Sequence, residues 1–273
     1  MLSIVDIKKE LGKNIYLYPI CSDSIRGSSI DLHASAFAWS LKTKKSIYDG
    51  NKYIVIPAND TALIYTEEAM HVTNKIGGMY HSKVSLVSKG LGHISTALDP
   101  QYVGNSIIAL HNHTENDYQL PVGSEFVSVI FYYLASPDYK RGRTHNIYPG
   151  HPRLIAGFDK EECYIEWRNK NQWTVNERLL LEKMKNSDEY SECKNNYHRE
   201  LEEFNGQWFK NRIAKYFGVI ACALIITVGF SIPSYIVDLG NISIIFQTFT
   251  ERIVLPVLLA VITSFVVIDF KRK

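Results

Sequence analysis

Two side chains at one turn are the first candidates for chemistry in this sequence. Asp99 begins a turn that continues through Pro100 and Gln101, and Tyr102 follows it. Gly104 then lets the backbone bend before an apolar strand. An acid and an aromatic ring on a tight turn are suited to recognising a small planar ligand. Three interpretations stay open at this point: a working catalytic site, a former site now used for sensing, or a turn with no chemical role.

Two histidines on the following strand are a second candidate. His111 and His113 lie on one face of a strand, because side chains alternate in direction along it. Paired imidazoles can hold a metal ion, but no third ligand stands at a spacing typical of a metal site. The pattern therefore favours polar surface or interface histidines over a metal site.

The elements that must position these residues are predicted to be mostly β-strands. Short helices are expected at residues 4–12, with Ser3 as the N-cap, and at 83–90, and few others before residue 174. Short strands at roughly 8–12-residue spacing, separated by Gly, Pro and Asn, are typical of a β-barrel or sandwich. The clearest predicted strands are Ile15–Pro19, Tyr53–Pro57, Thr61–Tyr65 and Phe126–Leu134.

The overall composition argues against several classes of protein. A formal net charge of +2 over 273 residues gives no basic surface of the kind that binds nucleic acid. The four cysteines are scattered without a Cys-x-x-Cys pair, so neither a disulfide framework nor a zinc site is predicted. The first residues lack a basic start followed by an apolar core, so no signal peptide is expected.

The composition changes to Glu, Lys, Asn and Leu between Val175 and Phe209. Apolar residues recur there at gaps of mostly three or four, which predicts an amphipathic helix or helix pair. Ser187 interrupts the apolar seam and Gly206 weakens its end. A self-associating stalk and a helix packed on its own domain are both open.

Two uncharged apolar runs follow this helical segment. Phe217–Val237 has 21 residues, about the ~20 that a helix needs to cross a bilayer, and Ile253–Ile268 is a second, shorter run. The alternative is a pair of buried helices in a soluble domain. Positive-inside reasoning places both termini in the cytoplasm, and it predicts a multi-pass protein of the inner or plasma membrane with a cytosolic N-terminal region. The basic flanks are Lys210, Arg212, Lys215, Lys271, Arg272 and Lys273.

Several segments together resemble the dCTP deaminase and dUTP pyrophosphatase superfamily, in the right order over residues 3–135. The resemblance implies a distorted β-barrel or jelly roll, usually trimeric, with active sites at subunit interfaces. The segments are Asp6-Ile-Lys-Lys-Glu-Leu-Gly, Gly27-Ser-Ser-Ile-Asp-Leu, Ser85-Leu-Val-Ser-Lys-Gly-Leu, Leu98-Asp-Pro-Gln-Tyr-Val-Gly and Gly123–Phe131.

The same resemblance implies roles for individual residues. Lys83, Ser85, Asp99 and Tyr102 would bind a nucleotide, with Tyr102 packing on its sugar or base. Asp99 would orient the attacking water if the domain is an active dUTPase-like enzyme. Asp31 would support a hydrated Mg²⁺ indirectly, and Mg²⁺ is the one cofactor that the resemblance implies. For each of these residues, an ordinary turn, strand or solvated surface role is the alternative.

Departures from the family pattern decide what activity to expect. The family's Gly-Arg-Ser-Ser is here Ser82-Lys83-Val84-Ser85, and a lysine supplies charge without the planar two-pronged contact of arginine. Ala109 stands where deaminases have the proton-transferring glutamate, and alanine cannot move a proton. The Arg-Ile-Ala-Gln of dUTP pyrophosphatases is here Glu125–Ser128, and their glycine-rich C-terminal arm is not visible.

The sequence therefore predicts a membrane-anchored nucleotide sensor with an inactive catalytic domain, signalling to a membrane hairpin as in bacterial antiviral defence. The alternatives are an active membrane-tethered dUTPase-like pyrophosphatase and a scaffold that only oligomerises. Expected partners are a nucleotide, the lipid bilayer and copies of the same chain, as a trimer, but no nucleic acid. The predicted division is 1–150 for the β-domain, 151–174 for a connecting segment, 175–214 for a stalk and 215–273 for the hairpin.

Overall fold

A computed structural model describes residues 1–138 and 150–207. Four helices with complete bounds are α1 (Ile4–Glu10), α2 (Val84–Val87), α3 (Glu161–Lys170) and α4 (Glu177–Lys185), and residues 188–207 are also helical. The strands are β1 (Ile15–Tyr18), β2 (Ile25–Arg26), β3 (Ser29–Ser40), β4 (Tyr53–Ile56), β5 (Thr61–Val72), β6 (Ile76–Ser82), β7 (Leu91–Gly92), β8 (Ala97–Leu98), β9 (Val103–Asn112), β10 (Tyr118–Pro121) and β11 (Glu125–Tyr133).

The β-domain is built on a nine-stranded antiparallel sheet. Its order is β7-β9-β5-β3-β11-β6-β8, with β1 added to β5 and β2 to β3, and β4 and β10 form a separate pair. The long strand β3 joins the two halves, because Ser29 to His33 pair with β11 and Ala34 to Ser40 pair with β5. A register shift between Ala34 and Ala38 lies in this strand, and such irregularities bend a sheet. The prediction of a mainly β fold is confirmed.

The helix α1 covers one end of the main core. Ser3 and Asp6 form a capping box, in which the Ser3 hydroxyl accepts from the Asp6 amide and the Asp6 carboxylate accepts from the Ser3 amide. Ile7 and Leu11 are fully buried. The predicted N-cap is therefore confirmed, and the helix ends before Gly12, whose φ of +78° suits glycine.

Residues 152–170 form a second apolar core on the sheet. Tyr164 of α3 stacks on Tyr65 of β5 with ring centroids 4.0 Å apart. The indole of Trp39 donates to the backbone oxygen of Asp159 at 2.6 Å. The helix α3 was not predicted, because its one buried side chain is Tyr164 and it carries no apolar stripe.

The helix α4 packs against the β-domain. Asn176 caps its N-terminus by accepting from two backbone amides. Leu180 and Met184 are fully buried, and the backbone amide of Leu17 in β1 donates to the Met184 sulfur at 3.3 Å. After a break at Asn186 and Ser187, the chain is helical again. Residues 1–198 belong to one compact unit.

Within residues 1–138 and 150–207, no helix is both long enough and apolar enough to span a bilayer. The predicted spans at 217–237 and 253–268 lie outside the described residues, as does the end of the predicted stalk at 208–214. The membrane hairpin therefore stays a prediction from the sequence.

Candidate functional site

The turn around Asp99 is held against the end of β5. The Tyr102 amide donates to the Asp99 backbone oxygen at 3.2 Å, and the Gln101 amide donates to Val72 at 2.9 Å. Gln101 has a φ of +64°, a conformation that costs a residue with a Cβ roughly 1–2 kcal/mol. Its side-chain amide also donates to the backbone oxygen of Asp138 at 3.0 Å. The turn is therefore anchored from both sides.

Tyr102 belongs to the core rather than to an open surface. It is 5% exposed, and its hydroxyl donates to the backbone oxygen of Asn105 at 2.6 Å. The ring of His151 stacks on its ring with centroids 5.5 Å apart. Burial raises the pKa of Tyr102 well above its ordinary value.

Lys83 and Asp31 meet in an ion-pair cluster with Glu125. The Lys83 ammonium lies 2.6 Å from an oxygen of Asp31 and 2.6 Å from an oxygen of Glu125. Ser128 donates to the other oxygen of Asp31. The cluster forms because Asp31 and Ser128 are register partners on β3 and β11, and Lys83 directly follows the neighbouring strand β6.

The cluster extends toward solvent through Glu125. Its second oxygen accepts from Ser24 at 3.1 Å and from Arg26 at 3.3 Å. Burial opposes ionisation of Glu125, but the hydrogen bond from Lys83 and its charge prevail, so the pKa of this carboxyl is lowered. Glu125 is the position at which the resemblance implies an arginine, and the side chain present is an acid.

A histidine–carboxylate pair, half-buried at His33 and buried at Glu68, adjoins the cluster through Ser24. Ser24 lies 3.5 Å from the outer nitrogen of His33, whose Nδ1 contacts Glu68. The His33 amide also donates to Glu68 at 3.0 Å. The hydrogen bond with Glu68 raises the pKa of His33. Sequence reasoning missed Glu68, although the acid pair Glu67-Glu68 inside a largely buried strand was a signal for it.

The arrangement does not fit a Mg²⁺ ion on Asp31. One oxygen of Asp31 accepts from Lys83 and the other from Ser128. The ammonium of Lys83 therefore lies where a cation would bind. Within the part of the chain that the structure describes, no group of three His, Cys, Asp or Glu residues is placed to hold a metal, and His111 bonds Thr61 at 2.8 Å.

The remaining predicted residues lie apart from this cluster. Ser85 is exposed on α2. Ala109 is partly buried on β9, opposite Leu63 of β5. Asp99 follows Leu98, which pairs with Gly78 near the beginning of β6, whereas Lys83 follows the end of β6. Six strand residues span roughly 20 Å, so within one chain the structure does not bring Asp99 and Lys83 together.

No family model matches this chain. Its sequence relatives carry the names of enzymes that act on nucleotides. It is 26% identical over 146 residues to a dCTP deaminase of Pyrococcus horikoshii, covering 54% of this chain and 92% of that protein. It is 26% identical over 141 residues to a probable deoxyuridine 5′-triphosphate nucleotidohydrolase of Sulfolobus islandicus rod-shaped virus 1, covering 51% and 88%. The solved native dUTPase of EIAV is 21% identical, covers 48% of this chain and 91% of its own, and superposes with a TM-score of 0.33. The sequence relatives identify a region similar to dCTP deaminases and dUTPases.

Proposed function

We propose that this chain binds a nucleotide through its dCTP deaminase-like and dUTPase-like domain without deaminating it. The observation that carries the proposal is Ala109, in place of the proton-transferring glutamate that the resemblance implies. The relatives named as dCTP deaminases support a nucleotide as the ligand. Without a group that moves a proton, the domain keeps the binding scaffold and loses the deamination step.

The surroundings of Ala109 support the loss of this step. Its cross-strand partner Leu63 packs against the second apolar core, as does Ile107, two residues earlier on β9. Residues two apart on a strand share a face. An ionised carboxylate at this position would therefore lie beside apolar side chains, where burial raises its free energy.

The ion pairs of Lys83 also affect how tightly a nucleotide triphosphate would bind. A phosphate group would have to draw Lys83 away from Asp31 or Glu125, both of which it contacts at 2.6 Å. The carboxylate of Glu125 would in addition repel that phosphate. We therefore expect dNTPs to bind more weakly than they do to proteins that carry arginine at both positions.

A complete site is proposed to need more than one copy of the chain. Asp99 and Lys83 lie near opposite ends of β6 within one chain, roughly 20 Å apart along the strand. If both contact one ligand, as the resemblance implies, each must come from a different subunit. A homotrimer with sites at its interfaces satisfies this requirement.

The role of the bound nucleotide is proposed to be signalling at a membrane. The apolar runs at 217–237 and 253–268 have the composition of a membrane hairpin, and the helical residues 188–207 precede them. Binding at the β-domain would change the state of this hairpin, as in membrane effectors of bacterial antiviral defence. Support for this step comes from the sequence and from analogy.

The experiment is a nucleotide screen on the full-length chain. We expect dCTP, dUTP or their monophosphates to raise the melting temperature, with no ammonia released from dCTP. Lys83→Ala and Asp99→Asn variants should each lose the stabilisation, and mixing them during refolding should restore part of it through mixed oligomers. Ammonia release would overturn the inactive assignment, and no stabilisation by any nucleotide would favour an oligomerisation scaffold.

A second candidate function is supported by the retained Asp99. In the family resemblance this aspartate orients water for dUTP hydrolysis, and one relative carries that activity in its name. Pyrophosphate release from dUTP that disappears in Asp99→Asn but persists in Asp117→Asn would establish a dUTPase-like pyrophosphatase. Its absence would leave the binding proposal in place.

A further inference from the structure

A cavity of about 410 Å³ opens between the Asp99 turn and α4. Gln101 of the turn and His71 of β5 line one side, and α4 contributes Glu177 and Leu181 on the other. The α4 residues lie beyond positions 3–135, which carry the resemblance to nucleotide enzymes.

The buried His71 presents an acceptor atom to this cavity. It is 4% exposed, and its Nδ1 lies 2.8 Å from the backbone oxygen of Tyr102. A carbonyl oxygen only accepts, so Nδ1 carries the proton. Burial lowers the pKa of His71, which favours the neutral ring. In that ring Nε2 is an acceptor, and it faces a Glu177 oxygen at 3.5 Å.

Three other side chains at the cavity donate hydrogen bonds to partners outside it. The Thr73 hydroxyl donates to Asn14 at 2.8 Å, and the Gln101 amide nitrogen donates to Asp138 at 3.0 Å. Arg178 pairs with Glu182 at 3.2 Å. The acceptors that remain at the cavity are the Gln101 side-chain oxygen, His71 Nε2 and the Glu177 carboxylate. The Thr73 oxygen accepts from the Lys75 amide at 3.4 Å, and Arg178 bonds Glu182 through Nε, so the terminal nitrogens of Arg178 remain donors.

An aromatic wall completes the cavity. The ring of Tyr16 lies 5.0 Å from that of His71, tilted by 42°. A flat cation can stack on such a face while its N–H groups reach the acceptors. The acceptor pair and the ring together select a planar group that carries adjacent N–H donors.

We propose that this cavity binds a small planar organic cation of the amidinium or guanidinium class. Its two N–H groups would bridge His71 Nε2 and the Glu177 carboxylate, and its flat face would contact Tyr16. None of the four proposed nucleotide-binding residues, Lys83, Ser85, Asp99 and Tyr102, lines this cavity, and the Asp99 turn contributes only Gln101 to it. A ligand here would connect the Asp99 turn to α4.

The test measures binding of benzamidine to the full-length chain by saturation-transfer NMR. Benzoate serves as an anionic probe of matched size. The variants are Glu177→Gln, which removes the charge, and His71→Asn, whose amide can keep the donor to Tyr102 while losing the Nε2 acceptor. Glu189→Gln, an exposed position that does not line the cavity, is the matched control. Thermal unfolding checks that each variant folds.

Saturable binding of benzamidine, weakened about tenfold in Glu177→Gln and in His71→Asn but unchanged in Glu189→Gln, is the expected result. Benzoate should not bind. The absence of saturable benzamidine binding would overturn the proposal, as would equal affinity in Glu177→Gln. Since Glu177 is largely exposed, that variant keeps the test decisive even if His71→Asn does not fold.

Discussion

Replacing Lys83 by Met tests the ion-pair cluster of Lys83, Asp31 and Glu125 most directly. Each of the two bonded carboxylate oxygens lies 2.6 Å from the Lys83 nitrogen, so those of Asp31 and Glu125 are at most 5.2 Å apart. Without the ammonium, two like charges at about 5 Å repel by about 3 kcal/mol at an effective dielectric constant of about 20. The Asp31 and Glu125 side chains are 9% and 22% exposed, and the effective dielectric constant of about 20 already includes the screening by nearby solvent. We expect a loss of about 3 kcal/mol in unfolding free energy at pH 7, close to that of a broken buried pair.

Urea unfolding as a function of pH is the assay for this variant. The pKa of Glu125 is lowered in the folded chain, so its contribution is present above the unfolded-state pKa and is lost as pH falls through the folded one. In Lys83→Met the facing carboxylates take up a proton at higher pH. The difference in stability between the two chains should therefore be largest near pH 7 and shrink toward about pH 4.

Two further variants make this prediction refutable. Lys83→Met combined with Glu125→Gln removes one of the repelling charges and should recover more than half of the lost stability. Lys42→Met, at an exposed position, should change stability by less than about 0.5 kcal/mol. If Lys83→Met lowers the unfolding free energy no more than Lys42→Met does, the ion pairs of Lys83 do not form in solution. Lys83 would then be available to a phosphate group without leaving Asp31 or Glu125.

Three other outcomes are expected from the remaining contacts. Tyr102→Phe removes the bond to Asn105 and should cost about 1–2 kcal/mol in urea unfolding, with circular dichroism unchanged; no loss would mean that the bond is absent. Met184→Ala should cost about 2–5 kcal/mol, because this side chain is fully buried between α4 and β1; a smaller loss would show that α4 is undocked in solution. The raised pKa of His33 gives stability that is complete below its unfolded value of about 6.5 and is lost as pH rises through the folded pKa, so His33→Asn should flatten the pH dependence of the unfolding free energy above about pH 6.5. An unchanged pH slope in His33→Asn would contradict the bond to Glu68.

Local pattern was enough to predict several of the strands. Alternation and turn residues predicted β5 from Thr61 and β11 to within one residue of its bounds, because those signals depend on neighbours along the chain. The structure extends β5 from the predicted end at Tyr65 to Val72, past the acid pair Glu67-Glu68. The helix α3 escaped prediction because its place depends on Tyr65 and Trp39, which are distant in sequence.

The sequence by itself determined the mainly β class, the N-cap at Ser3, the ordered resemblance over residues 3–135 and the absence of a glutamate at Ala109. These follow from residue types and local spacing, which every fold of this chain must respect. Only the tertiary structure decided that Lys83 contacts Asp31 and Glu125, which are 52 and 42 positions away. It also decided that Tyr102 is buried. Strand pairing brings such groups together, and the resulting burial sets their charge and pKa.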